Sequence, residues 1–192
     1  FFKVVYRRHT NFSMEAIEQT WDGTSGGTAA AARCSATISR NGDLVHRMYI
    51  ELSATPDKKL KNVTAQVITD VEIEIGGQKI DKHTGQWMNV WSHLTEPNPS
   101  GHSGDCDTTH NGTSFQNMSG MGGADTAGPT SPTVFYVPLQ FWFCRNPGLA
   151  LPLIALQYHE VKVILNHKFA TPQFITFVHL SLIHISEPTR LG

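Results

Sequence analysis

An antiparallel β-sandwich is the all-β architecture this sequence predicts, and three features point to it. Short segments with period-two apolar patterning recur along the chain, turn signals rich in Gly and Asn separate them, and only Gln86 to Leu94 has convincing helical spacing. A length of 192 residues suits one domain, and a chain of this size buries about 70% of the surface exposed when unfolded.

Phe2, Val4 and Tyr6 alternate with Lys3, Val5 and Arg7, as in a strand with one mainly apolar face. Asn11 to Ala32 has no sustained period, and its Asp22-Gly23 and Ser25-Gly26-Gly27 turn signals predict a long connection. A strand is expected from Cys34 to Ile38. Asn41-Gly42 after it predicts a tight type I′ hairpin, a turn that needs positive φ at both central residues. Leu44, His46, Met48, Ile50 and Leu52 should then share one face, and Val45, Arg47, Tyr49 and Glu51 the other.

Pro56 to Lys61 is a charged loop leading into the clearest alternation. Val67, Thr69, Val71, Ile73 and Ile75 oppose Ile68, Asp70, Glu72 and Glu74, which predicts one buried and one wet face. Gly76-Gly77 predicts a second hairpin returning through Gln78 to Ile80. Trp87, Val90, Trp91 and Leu94 fall at i, i+3, i+4 and i+7, the stripe of a helix about three turns long. Glu96 to Pro132 is rich in Gly, Ser, Thr, Asn and Pro, and reads as a long surface loop.

Apolar residues are densest from Val134 to Leu165, the expected core. Thr133 to Cys144 reads as a strand buried on both faces, within which Phe141, Trp142 and Phe143 alternate. Pro138 cannot donate to a ladder, so this strand belongs at an edge or carries a bulge at Val137 and Pro138. Asn146 is a cap and Pro147 a first residue for one helical turn through Leu149, Leu151 and Ile154, with Pro152 preventing a longer one. The chain should re-enter a sheet at Gln157, with His159, Val161, Val163 and Leu165 on one face and Glu160, Lys162 and Ile164 on the other.

Composition narrows function. A formal charge of -1 argues against a nucleic-acid groove, and the one basic trio, Arg7, Arg8 and His9, reads as a strand end or a subunit contact. No apolar run reaches a membrane span, since Gly148 to Leu156 is short and broken by Pro152. Cys34, Cys106 and Cys144 form no C-x-x-C pair and leave one over in any pairing, which favours reduced structural thiols. His102, Asp105, Cys106, Asp107 and His110 are the densest set of metal-ligand types, but their spacing is helical while Gly101, Gly104 and Asp105 oppose helix, so a polar loop is expected. Gly120, Gly122 and Gly123 lack the preceding strand and following helix of a dinucleotide loop, and no Gly-Lys-Ser or Gly-Lys-Thr is present for a P-loop. His159 and Glu160 are adjacent on a strand and should diverge, while His46 and His159 are expected to be satisfied or interfacial. No catalytic, cofactor-binding or metal residue is therefore assigned, and no cofactor is expected. Asn-x-Ser/Thr sequons lie at Asn11, Asn62, Asn111 and Asn117.

The blocks FFKVVYRRHTNFSMEAIEQT from Phe1, SRNGDLVHRMYIEL from Ser39, DVEIEIGGQKIDKHTGQWMNVW from Asp70 and VFYVPLQFWFCRNPGLALPLIALQYHEVKVIL from Val134 closely resemble the major capsid proteins of nucleocytoplasmic large DNA viruses, of the iridovirus and chlorella-virus type. The resemblance implies two jelly rolls per subunit and a homotrimer that acts as a pseudo-hexameric capsomer of an icosahedral shell. It implies a virion protein assembled in host cytoplasm, whose partners are neighbouring capsomers and minor capsid proteins, with no catalysis, direct nucleic-acid contact or membrane insertion. Residues 1–179 are then the first jelly roll, expected to be truncated at both ends because Phe1 lies inside a strand pattern. Leu180 to Arg190, LSLIHISEPTR, resembles a translated transposase adapter from library preparation, so residues 180–192 are expected to be a non-native tail of a metagenomic fragment, the alternative being a last strand from Phe174 to Ile185. A lectin-like jelly roll that holds glycans through the long loop is the first rival reading, and a cupin-type metalloenzyme, despite the missing H-x-H pair, is the second.

Overall fold

The computed structural model describes residues 12–23, 31–53, 62–97, 113–122, 134–168 and 175–185. Its strands are β1 (Phe12–Gln19), β2 (Asp22–Gly23), β3 (Ala32–Thr37), β4 (Leu44–Ser53), β5 (Ile68–Ile75), β6 (Gln78–Thr84), β7 (Val134–Pro138), β8 (Leu151–Pro152), β9 (Val161–His167) and β10 (Ile175–Ile185). The helices are α1 (Val63–Val67), α2 (Gly85–Thr95), α3 (Ser114–Ser119) and α4 (Trp142–Arg145), followed by a 3-10 turn at Pro147–Leu149.

The strands form two open antiparallel sheets, ordered β1-β10-β4-β7 with β8 also on β4, and β2-β3-β9-β5-β6. Leaving out the two-residue strands and numbering the rest in chain order gives 1-8-3-6 in one sheet and 2-7-4-5 in the other, the strand order of a jelly roll. Val45, Met48, Ile50 and Leu52 of one sheet join Cys34, Ala36, Val71, Ile73, Val163 and Leu165 of the other in one buried cluster. This is the two-layer packing that half-apolar sheets require.

Local turn chemistry is realised where both flanking strands stay in one sheet. Gly76 and Gly77 have φ of 59° and 82° and close the β5–β6 hairpin, because an L side chain is strained in that region. Asn146 accepts from the Gly148 amide with Pro147 at the first helical position, as the sequence indicates, but the turn ends at Leu149 and Leu151 enters β8. The expected hairpin at Asn41-Gly42 is not formed. Neither residue has positive φ, and β3 pairs with β2 and β9 while β4 lies in the opposite sheet. The Ile38 amide continues the β9 pairing by donating to the Val161 carbonyl, and the Ser39 amide turns to the Gln19 side chain at 2.8 Å, so the segment crosses between layers instead of folding back.

Three further expectations change. Part of the connection expected from Asn11 to Ala32 is strand, because β1 pairs along its whole length with β10, and Asp22-Gly23 pairs with Ser35 and Cys34. Phe12, Met14 and Ala16 do alternate with Ser13 and Glu15, a short period-two run hidden within the glycine-, threonine- and alanine-rich composition of the longer segment. The strand expected from Thr133 to Cys144 ends at Pro138, at the sheet edge its missing donor requires, and Phe135 and Val137 face inward while Tyr136 is exposed. Leu139, Phe141 and Phe143 remain fully buried beyond it, in a bend and in α4. Gln157 to Glu160 is turn, and the sheet resumes at Val161.

Two strands depart from simple alternation through bulges. In β4, Arg47 pairs with Ser181 and Val45 with Leu182, so His46 is the extra residue and both Val45 and His46 are buried. In β5, the face expected to be wet contains buried Asp70 and Glu72, since β5 lies between β9 and β6 and lysines from β6 reach across it. The backbone from Ile175 to Ile185 is a strand between β1 and β4, which includes Leu180 to Ile185 of the expected foreign tail. Strand pairing does not report origin: an unpaired slot between two strands accepts any segment of suitable pattern. Phe2 to Arg7 and the Pro56 to Lys61 loop lie outside the described residues.

Candidate functional site

α2 is the helix the sequence marks, and its boundaries follow from local chemistry. Thr84 caps it by accepting from the Trp87 amide, and Gly85 begins it in close contact with the carbonyls of Ile68 and Ala65. Its inward face is not the apolar stripe. Gly85, Met88 and Ser92 face inward, whereas Trp87, Val90 and Leu94 are 41%, 43% and 71% exposed. The helix is anchored by its small residues, and by Asn89, whose Oδ1 accepts from the Gly122 amide at 3.1 Å. The stripe that marks the helix in the sequence is therefore largely an apolar surface.

Beside that surface lies a groove of about 520 Å³ between the end of α2, α3 and the corner joining β7 to α4. Trp91, Phe115, Met118, Arg47, Arg145 and Glu96 are among the residues lining it. Arg145 is fixed over Trp91, with its guanidinium carbon 4.6 Å from the ring centre, and its Nη2 donates to the Gln140 carbonyl. α3 is held by a reciprocal capping box in which Thr113 accepts from the Gln116 amide and Gln116 accepts from the Thr113 amide. This puts a helix inside the segment read as loop from Glu96 to Pro132.

Burial takes the two described thiols and His83 away from neutral-pH chemistry. Burial pushes the Cys34 and Cys144 thiols up to about 12, so both stay protonated and poorly nucleophilic; both are free. His83 packs edge-on against Phe141 at 4.5 Å, and burial, helped by Arg145 and opposed by Asp81, brings it down to about 4. His46 is lowered by burial and then by Arg47. Neither imidazole has a hydrogen-bond partner among the described residues, so of the two expectations for His46, satisfied or interfacial, the first is not met within them. Asp70 and Glu72 are neutralised by lysines: Lys79 lies 2.7 Å from Glu72, Lys82 lies 3.2 Å from Asp70, and Asn166 Nδ2 donates to Asp70. The Asp70 hydrogen bond and charge hold Lys82 above its ordinary range. The pattern is that of a closed ion cluster.

His102, Asp105, Cys106, Asp107, His110, Asn11, Asn111, Arg7, Arg8 and His9 lie outside the described residues. Among the described residues no three potential ligands gather for a metal. Gly120 closes α3 in the left-handed region, after a helix and not before one, which is the reverse of a phosphate loop. Glu160 pairs with Lys162 at 2.9 Å, and exposed His159 precedes β9. No described helix is long and apolar enough to cross a membrane. Apart from the groove and α2, large apolar side chains are exposed on β1 (Phe12, Met14) and on the turn before β9 (Ile154, Tyr158). The sequence did not mark the groove, because Arg47, Trp91, Phe115 and Arg145 come from four separate segments.

A family model described as the N-terminus of the major capsid protein matches residues 1–187. The chain is 48% identical over 170 residues to the major capsid protein of Pyramimonas orientalis virus, covering 85% of this chain and 40% of that protein. It is 41% identical over 166 residues to that of Paramecium bursaria Chlorella virus 1, covering 85% and 34%. A quasi-atomic model of the PBCV-1 virus capsid superposes with a TM-score of 0.67 at 32% identity, covering 96% of this chain and 45% of that one. The chain thus spans less than half the length of these relatives.

Proposed function

From the premise that this chain belongs to the major capsid protein family of large DNA viruses, matching its N-terminal portion, we propose that it is the first jelly roll of a shell-forming subunit. The observation that carries this is the 1-8-3-6 and 2-7-4-5 strand order across a chain matched over residues 1–187. The role is structural: a rigid tile needs a buried core and outward apolar contacts, and burial keeps the described thiols protonated and makes His83 a poor base.

The subunit is a homotrimer in the full-length protein, a pseudo-hexameric capsomer in the virion that meets neighbouring capsomers and minor capsid proteins and assembles in host cytoplasm. Phe12 and Met14, exposed two residues apart on β1, and Ile154 and Tyr158, exposed on the turn before β9, offer apolar area for such contacts. Closed symmetry favours a discrete oligomer. Light scattering coupled to size exclusion tests the reading on the full-length protein: a trimer is expected, and a stable, monodisperse monomer overturns it.

Residues 180–192 are foreign to the native gene on this reading. What supports it is the likeness of LSLIHISEPTR to a translated adapter, which continues past the apolar part of the segment. Amplifying the gene across codon 180 from the source material tests it. A product that still encodes LSLIHISEPTR there refutes the assignment.

A further inference from the structure

We infer that the groove between α2, α3 and the β7–α4 corner docks an acidic, apolar peptide segment of another protein. Its walls supply aromatic, methionine and arginine side chains, the types enriched where protein partners bind most tightly: Trp91, Phe115, Met118, Arg47 and Arg145. Met118 is 38% exposed although it lines the groove, so apolar area is open to an incoming side chain. The apolar surface also continues along α2, where Trp87 lies 5.7 Å from Trp91, ring to ring, and Val90 and Leu94 follow. An extended segment can use both the groove and the helix face.

Charge selects the partner. The lining includes two guanidiniums, Arg47 and Arg145, against one carboxylate, Glu96. Among the described residues neither arginine is in an ion pair, since the four present all involve lysine. Arg145 is nevertheless pre-positioned by its stack on Trp91 and by the Gln140 carbonyl, which occupies one of its five N–H donors. A fixed guanidinium with no ion pair among the described residues, beside an aromatic wall, is built for a carboxylate carried on an apolar chain, because bidentate pairing adds geometry to charge. The volume, about 520 Å³, admits a few side chains and not a folded domain. This inference does not rest on the capsid reading, because it identifies what the surface recognises whatever larger structure carries it.

The probe is a fluorescent decapeptide alternating leucine and glutamate, compared with its leucine–glutamine analogue by anisotropy titration against the chain. The glutamate peptide should bind about tenfold or more tighter than the glutamine analogue, and 0.5 M salt should weaken it. Arg47→Gln and Arg145→Gln should each weaken binding about fivefold to tenfold while the circular dichroism spectrum of the folded chain is kept, because both change exposed groups. Met118→Glu, a charge reversal inside the groove, should abolish binding. Equal affinity for the two peptides, undiminished binding by the arginine variants, or no binding at millimolar peptide overturns the inference.

Discussion

Thr64 donates its hydroxyl to the carbonyl of Ser119 at 2.6 Å, a buried bond that joins α1 to α3 across 55 residues of sequence. Each residue is also the hydroxyl member of a sequon, after Asn62 and Asn117, and each is at most 1% exposed. Thr64→Val keeps the shape but strands a buried carbonyl, and should cost about 1–3 kcal/mol by urea denaturation, whereas Thr64→Ser should recover most of it. A folded chain offered to a glycosyltransferase that reads the hydroxyl should gain no glycan at Asn62 or Asn117, as intact mass will show.

Gly85 is a helix residue at which alanine should be harmful. Alanine normally favours a helix over glycine by about 1 kcal/mol. A Cβ here would sit 2.5 Å from the Ala65 carbonyl oxygen and as tightly against that of Ile68. Both obstacles are backbone, so α2 must shift. Gly85→Ala should therefore destabilise by about 1–3 kcal/mol, read as a lower urea midpoint with unchanged slope.

The aromatic corner after β7 should be the most sensitive part of the core. Phe141 and Phe143 are fully buried and stack at 5.7 Å. Alanine at either should cost about 3–5 kcal/mol, enough to unfold a marginal domain. Trp142, half-buried and edge-on to Phe143 at 5.1 Å, should cost less. An unchanged melting temperature for the Phe141 or Phe143 variant contradicts the packing.

Acid should loosen the fold through His83. Its folded value, about 4, lies below the ordinary 6.5, so the unfolded chain takes up a proton first as pH falls. The stabilisation from keeping His83 neutral is complete above about pH 6.5 and is lost as pH drops through about 4, by as much as roughly 3 kcal/mol. Urea midpoints measured from pH 7 to pH 4 should fall, and His83→Phe should flatten that slope. An identical slope in the variant removes His83 as the cause.

Legibility in the sequence followed the range of the interactions. The Gly76-Gly77 hairpin, the Asn146 cap and the extent of α2 are set within a few residues, and each could be read directly. Asn41-Gly42 carried the same kind of signal and misled, because the sheet β4 joins is decided by β7 and β10, far along the chain. α2 shows the same limit: its period was right and its outward face was set by Gly85, Met88 and Asn89 meeting distant partners. The groove was invisible for this reason, while the family resemblance rested on long blocks and was legible at once.

The position of β10 has a consequence for synthesis. β1 pairs with β10 alone among the described strands, and Phe12 meets Ile185. A ribosome adding about 5–20 residues per second leaves β1 and the adjoining side of β4 without a neighbour for roughly 10–35 s after β1 is made. Throughout that interval the nascent chain presents the exposed apolar residues of β1, Phe12 and Met14, beside unpaired backbone. The sandwich closes only as one of its last segments emerges, so yield in cells should depend on what shields the nascent chain during that wait, and a chaperone supplied in excess should raise the soluble fraction more than any stabilising core substitution.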